Sequence, residues 1–241
     1  MDKFYLEYFT DPLCCWSWGL EPQMRKLRYL LKNRVQINYV MGGLLRDWEH
    51  FSDPLNNVSR PTQMGPIWVE AKHLSGQPIN EHLWVNNPVD TSYLACLAVK
   101  AAEMQSFGSG EAMLRELREA VMIHNKNIGD TDIIMEIAGD LEKKCILNFN
   151  DFKISLLSTE SSELLRKDLE KKKLKGITRF PTMLIRYGEK TVQITGYRPF
   201  PVLLETFKLL DPTLQIDEEI DREDYIGSWN YLTERELQEI G

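Results

Sequence analysis

Residues 11–19 read Asp11-Pro12-Leu13-Cys14-Cys15-Trp16-Ser17-Trp18-Gly19 and separate two segments of different hydrophobic period. The alternating run at residues 3–9 predicts a strand, and the apolar spacing at residues 20–32 predicts an amphipathic helix. At such a turn the backbone N–H groups of the helix N-terminus favour a thiolate and lower the thiol pKa below its free value of about 8.5. The stretch therefore predicts a reactive thiol.

The remaining regular segments predict an α/β fold. Residues 35–41 alternate apolar with polar side chains, so a strand–helix–strand unit with a parallel pair and a right-handed crossover is expected. Residues 182–186 and 191–195 predict a hairpin, and residues 200–210 return to helical spacing. The order β-α-β, helical block, β-β-α is that of a thioredoxin fold with an inserted all-helical subdomain.

The chain between the two halves of this fold is predicted to be the insertion. Residues 46–90, rich in proline and carrying Trp48, Trp68 and Trp84, are interpreted as a partly ordered excursion with a helix only at 62–74. Helical periodicity then continues to about residue 175 and includes one long helix at 151–173. The expected divisions are a thioredoxin-fold domain at 1–45 and 176–210, a helical subdomain at 46–175 and a tail at 211–241.

Composition and charge limit the classes of function. With 43% hydrophobic and 27% charged residues, no apolar run of the roughly 18 residues that span a membrane and no signal-peptide pattern, the chain is expected to be cytoplasmic. Of its cysteines, Cys96 and Cys145 are predicted to be buried, and no cysteine or histidine spacing indicates a metal site. The net charge of −7 arises in residues 211–241, which hold ten acidic and two basic residues, so a nucleic-acid partner is not expected.

Four features taken together resemble the DsbA family, and within it the FrnE-like dithiol–disulfide isomerases. These are Asp11-Pro12-Leu13-Cys14, the helical insertion, Phe180-Pro181-Thr182 before a strand, and Thr195-Gly196-Tyr197 after the hairpin. The resemblance covers about residues 3–210. It implies that Cys14 is the nucleophile, that Pro181 is cis and lies beside it, and that Phe180 and Thr182 contact the substrate; it implies no bound cofactor.

The chain departs from this family at Ser17, where a second cysteine is expected. In a dithiol site that second thiol resolves the mixed disulfide formed by the first. A monothiol site at Cys14 is therefore expected to isomerise disulfides, accept a glutathionyl group or hold a partner covalently; the alternative is an inert Cys14. Ser17 is expected to hydrogen-bond the thiolate or to cap the helix.

The other residues of the stretch each permit more than one interpretation. Cys15 closes only a strained disulfide with Cys14, because adjacent Cα atoms lie about 3.8 Å apart. It is therefore expected to resolve a mixed disulfide poorly or, as favoured, to point into the core beside Trp16, and it is also a candidate substrate contact. Trp16 and Trp18 form an apolar platform for the substrate, or they pack structurally.

A basic run precedes the Phe-Pro-Thr motif. Residues Arg166–Arg179 include seven basic and two acidic residues. The run is interpreted as a solvated helix face, with the alternative that it attracts an acidic peptide or the carboxylates of glutathione. The expected partner is a protein or a low-molecular-weight thiol or disulfide, with glutathione as a co-substrate.

Three functions compete. The first is a thiol–disulfide oxidoreductase or isomerase, and the second is a glutathione transferase similar to the kappa class, which carries serine where Cys14 lies. The third is a binding function, because residues 11–14, 20–22 and 98–105 are similar to an adaptor family of the Clp protease. In that family a longer C-terminal extension is present, so residues 211–241 are either a reduced docking element or a segment packed on the body.

Overall fold

The computed structural model describes residues 3–229 and 231–241. The strands in this part of the chain are β1 (Phe4–Thr10), β2 (Val35–Met41), β3 (Thr182–Tyr187) and β4 (Lys190–Thr195). The helices are α1 (Cys15–Gly19), α2 (Glu21–Leu31), α3 (Met64–Ser75), α4 (Leu83–Asn86), α5 (Tyr93–Glu103), α6 (Phe107–Met122), α7 (Thr131–Lys143), α8 (Phe149–Leu156), α9 (Thr159–Leu174), α10 (Phe200–Leu210), α11 (Arg222–Gly227) and α12 (Glu234–Gln238). The predicted strands, α2 and α10 are confirmed to within one residue.

The strands form a mixed sheet in the order β2-β1-β3-β4. β1 pairs in parallel with β2, with Tyr8 opposite Tyr39, and antiparallel with β3, with Tyr8 opposite Met183. α2 connects the parallel pair, as a crossover must. The expected thioredoxin fold is confirmed, and β1 delivers its C-terminal end directly into the cysteine turn.

Two apolar cores meet at α1. The first lies between the sheet and helices α2 and α10, and includes Phe4, Leu27 and Phe207. The second lies within the helical block and extends to Cys15 and Trp18 of α1. Burial of each large apolar side chain contributes about 1.5–3 kcal/mol, so both cores hold the cysteine turn in place.

Residues 46–90 are more ordered than the sequence predicted. Their tryptophans pack edge to face: the rings of Trp68 and Trp84 lie 5.2 Å apart, and those of Trp48 and Trp84 lie 6.0 Å apart. The Trp48 indole also donates to the Val89 carbonyl at 2.9 Å. The expectation of a partly ordered excursion was wrong because it gave the prolines more weight than the three tryptophans, whose indole rings bury a large apolar area.

The predicted single helix at residues 151–173 is two helices, α8 and α9. Ser158 separates them, and its side chain accepts a hydrogen bond from the Ser161 backbone N–H as an N-cap. The cap residue was present in the sequence, but continuous helical spacing on both sides of it concealed the break.

The described part of the C-terminal segment packs on the body, as one of the two alternatives for residues 211–241 expected. Tyr225 is fully buried and its ring meets Tyr29 at 5.1 Å, while the Arg25 guanidinium lies 4.7 Å from the Trp229 ring centre. The capping box predicted at Thr233 is confirmed by its reciprocal bonds with Glu236.

Candidate functional site

A cleft of about 800 Å³ opens beside the cysteine turn. Its walls come from the turn, the loop after β2, residues 50–56, α3, α9 and the loops at both ends of the β-hairpin. Of the residues predicted from the sequence, the cleft brings together Cys14, Cys15, Trp16 and Phe180. Ser17, Trp18, Pro181 and Thr182 lie behind this surface.

Cys14 occupies the N-cap of α1. Its Sγ accepts a hydrogen bond from the Ser17 backbone N–H at 3.4 Å, and its own backbone N–H donates to the Asp11 carbonyl at 3.1 Å. The residue is 5% exposed, so the sulfur forms part of the cleft wall and does not project into solvent.

The protonation of Cys14 differs from the sequence prediction. Burial raises the pKa of the Cys14 thiol, and this effect exceeds the opposing effect of Ser17. The Ser17 hydroxyl also favours the thiolate, although it makes no hydrogen bond of normal geometry with any described residue. The backbone N–H at the start of α1 does lower the pKa as expected, but burial outweighs it, so the net shift of the Cys14 pKa is upward and opposite to the expected direction.

Cys15 and Trp18 face the helical core. Cys15 is 3% exposed, and burial raises the pKa of its thiol well above the ordinary value. Trp18 is fully buried, and its indole donates to the Pro78 carbonyl at 2.9 Å. The expectation that Trp18 belongs to a substrate platform is wrong, because its ring is sealed between α1 and the helical block; the half-buried Trp16 remains at the cleft.

The Phe180–Pro181 peptide is cis, as the family resemblance implied. The Pro181 carbonyl accepts from the Gly196 N–H at 2.7 Å, and the Thr182 hydroxyl donates to the Arg179 carbonyl at 2.8 Å. Thr182 was expected to contact the substrate, but it is 1% exposed and does not line the cleft. Its hydroxyl stabilises the loop instead. The Phe180 ring does line it, against the backbone of Gly42, where an added Cβ would stand 2.1 Å from the ring.

Basic side chains at the cleft were only partly anticipated. Lys172 and Arg179 of the predicted basic run reach it, together with Arg198 from the loop after β4, whereas Arg166 is paired with acids on the exposed face of α9. The Lys172 ammonium donates to the Gly42 carbonyl at 2.7 Å, and burial lowers the pKa of that ammonium. Helical spacing was the available signal: residues 166 and 172 are six apart and therefore lie on different faces of the helix.

Asp11 organises the turn, a role that the sequence analysis missed. Its buried carboxylate accepts from the backbone N–H groups of Leu13 at 2.9 Å and Leu44 at 2.6 Å, and from Ser92 Oγ at 3.0 Å. Burial nevertheless raises the pKa of this carboxyl. The Asp-Pro dipeptide, a turn-starting pair, was the available signal.

The two remaining cysteines differ in exposure. Cys96 is buried, as predicted, and its Sγ lies 3.3 Å from the Asp11 carboxylate. Cys145 is exposed, and the prediction that it is buried was wrong: it follows the end of α7 with φ of 57°, outside the helix whose core face was expected to cover it. Within residues 3–229 and 231–241, no cluster of three or more side chains suited to a metal ion occurs, and no helix is long and apolar enough to span a bilayer.

Several relatives carry the name of an adaptor. The chain is 26% identical over 200 residues to the ClpXP adapter protein SpxH of Halalkalibacterium halodurans, covering 82% of this chain and 64% of the relative. It is 24% identical over 235 residues to the Bacillus subtilis protein of the same name, covering 95% of this chain and 75% of that one. The chain thus spans less than two thirds of the length of the first of these relatives.

Solved structures share the fold. A Nitrosomonas europaea protein provisionally described as a protein disulfide isomerase superposes with a TM-score of 0.70 at 21% identity, covering 87% of this chain and 99% of that one. The cytosolic disulfide reductase DsbM of Pseudomonas aeruginosa gives 0.66 at 19% identity, covering 86% and 99%. A family model described as thioredoxin matches residues 8–205. Since that match includes most of the chain, the protein belongs to the thioredoxin family.

Proposed function

We propose that the protein is a monothiol thiol–disulfide oxidoreductase, in which Cys14 exchanges with a disulfide bound in the cleft. The observation that carries this proposal is the position of the Cys14 sulfur: it caps α1, accepts the Ser17 N–H and forms part of a cleft large enough for a peptide or glutathione. Cleft volumes for such ligands run from about 300 to 1,000 Å³.

The exchange balances without an external oxidant. The Cys14 thiolate attacks one sulfur of the bound disulfide, a new S–S bond forms to Cys14, and the other sulfur leaves as a thiolate that takes up the released proton. Ser17 supplies no second thiol, so a free thiol such as glutathione must attack the mixed disulfide to regenerate Cys14. Glutathione as co-substrate fits the expected cytoplasmic location, where it is abundant.

Charge in the cleft favours an acidic ligand. Lys172, Arg179 and Arg198 line it, and the carboxylate of Asp53 is engaged within its own loop, where it accepts from the Asn56 side chain at 2.5 Å. Ammonium and guanidinium groups form charge-assisted hydrogen bonds with carboxylates. A solved structure of DsbM is described as containing glutathione, a ligand that carries two carboxylates.

The test uses oxidised glutathione and intact mass measurement in a Cys145→Ser background, because Cys145 is exposed and would react independently. One glutathionyl adduct at Cys14 is expected, absent in Cys14→Ser and reversed by reduced glutathione. Ser17→Cys is expected to convert the adduct into an internal disulfide between residues 14 and 17. No adduct on the folded parent protein would refute the exchange function.

An adaptor function is the second candidate, and the names of the relatives favour it. An adaptor works by binding, so it does not require the thiol. Capture of a partner that survives Cys14→Ser, with no disulfide exchange by the parent, would support it. Conjugation of glutathione to an electrophile without adduct formation at Cys14 would instead support the transferase alternative.

A further inference from the structure

Arg118 links the two ends of the cysteine turn by hydrogen bonds. It belongs to α6 in the helical block and is 1% exposed. One Nη donates to Thr10 Oγ1 at 2.5 Å, at the last residue of β1, and the other donates to the Glu21 carboxylate at 2.7 Å, at the first residue of α2. Cys14 lies in the chain between these two contacts.

The positive charge of Arg118 is not fully matched by its acidic partner. The Glu21 carboxylate is shared with Arg25 at 3.6 Å and Arg115 at 3.7 Å. The Arg118 Nε is buried without a hydrogen-bond partner among the described residues. A buried cation that is only partly compensated has a strong local field, because little water screens it.

The C-terminal helix pairs with Arg115, which would otherwise compete with Arg118 for the Glu21 carboxylate. Glu236 of α12 is fully buried and accepts two hydrogen bonds from Arg115, at 2.6 and 3.0 Å. This bidentate pairing and the ion pair with Glu119 on the same helix satisfy Arg115, and its contact with Glu21 is the longest of the three. The charges around Arg118 therefore depend on a segment distant in sequence.

We propose that Arg118 is a positioning residue for Cys14: through its hydrogen bonds to Thr10 and Glu21 it fixes both ends of the turn that carries the sulfur, and it adds a buried positive charge to that turn. This inference deepens the proposed exchange function. The titratable groups that act on Cys14 together with Arg118 are Asp11, Tyr8 and Cys15. Burial has the largest effect and raises the pKa of Cys14; Ser17 lowers it, Asp11 raises it, and Arg118 lowers it further, so Arg118 adds to the stabilisation of the thiolate that Ser17 supplies.

The test measures the rate of Cys14 alkylation by iodoacetamide against pH in the Cys145→Ser background. Arg118→Met is expected to raise the Cys14 pKa and slow alkylation at a fixed pH below it, about tenfold for each unit of pKa. Glu21→Gln is expected to lower the Cys14 pKa, because it leaves the Arg118 charge less compensated. Arg166→Met, on the exposed face of α9, is the control and should leave the profile unchanged.

Opposite shifts for the two variants distinguish an electrostatic role from loosening of the turn, which would move both profiles in one direction. If Arg118→Met does not fold, Arg118→Gln, which keeps hydrogen-bond donors but removes the charge, takes its place in the same measurement. Coincident profiles in folded variants, or shifts of the same sign, would overturn the proposal. Alkylation needs no disulfide substrate, so this result is independent of whether the glutathionyl adduct forms.

Discussion

Two buried ionisable side chains, Glu236 in the C-terminal helix and Cys14 in the cysteine turn, are held in opposite ways. Glu236 is fully buried and accepts hydrogen bonds from Arg115, from Arg25 at 3.3 Å and from the Thr233 N–H at 2.7 Å. Cys14 is 5% exposed, and the hydrogen bond to its sulfur comes from one backbone N–H at 3.4 Å.

The difference in hydrogen bonding indicates different roles for the two side chains. A buried carboxylate surrounded by donors and guanidinium groups fastens two parts of the chain, and removing one partner leaves the others uncompensated. A buried thiol with one weak donor stays neutral and keeps its sulfur available at the cleft wall. Glu236 thus contributes to stability, whereas the proposed exchange would use Cys14.

The largest expected effect comes from Glu236→Ala. It leaves Arg115 and Arg25 without this carboxylate, and breaking such a buried pair costs about 3–5 kcal/mol of the free energy of unfolding. Glu234→Ala, two residues earlier on the exposed face of α12, should cost less than about 0.5 kcal/mol. Denaturant unfolding measures both; equal stabilities for the two variants would show that the C-terminal helix is not fastened by this pairing.

A smaller effect on the free energy of unfolding is expected from Glu21→Gln, and this effect depends on pH. Burial alone would raise the pKa of Glu21, but the neighbouring guanidinium groups, Arg118 foremost, lower it below its ordinary value. A lowered folded-state pKa contributes stability that is present above the unfolded value of about 4.3 and is lost as the pH falls through the folded value.

The parent protein should thus exceed Glu21→Gln by about 2 kcal/mol at pH 7, and the difference should shrink as the pH falls below about 4. Unfolding curves from pH 3 to 7 for the two proteins test this. A difference that grows on acidification would mean that the carboxylate is destabilising in the folded state.

The smallest expected effect concerns the cleft. Lys172→Ala removes an ammonium beside Phe180 and should slow adduct formation with oxidised glutathione about tenfold, the equivalent of one charged hydrogen bond. The rate with the neutral disulfide of mercaptoethanol should change little, and Lys173→Ala, an exposed neighbour, is the matched control. Equal slowing with both disulfides would indicate that Lys172 shapes the loop through Gly42 and does not attract the ligand.

Local sequence features were sufficient to predict much of the fold. Alternation and helical spacing located the strands and α2, and the motif residues implied the cis peptide at Pro181. The Thr233 capping box located α12 because cap bonds join residues three apart.

The sequence was less informative about contacts between distant segments. The contacts of Lys172 with Gly42, of Arg118 with Glu21 and of Glu236 with Arg115 form only after the helical block and the C-terminal segment have packed. The pKa of Cys14 was predicted in the wrong direction for the same reason: the helix N-terminus is a local feature, whereas burial depends on every element around the sulfur.

The central claim is that Cys14, and not its neighbour Cys15, is the thiol that reacts at the cleft, and that burial raises its pKa. Its alkylation rate against pH, measured in the Cys145→Ser protein with Cys14→Ser as the blank, tests this directly. We expect one modified residue, Cys14, and a midpoint above the ordinary cysteine value of about 8.5. A midpoint below pH 7 would contradict the account, because it would mean that the thiolate is the stable form at this site.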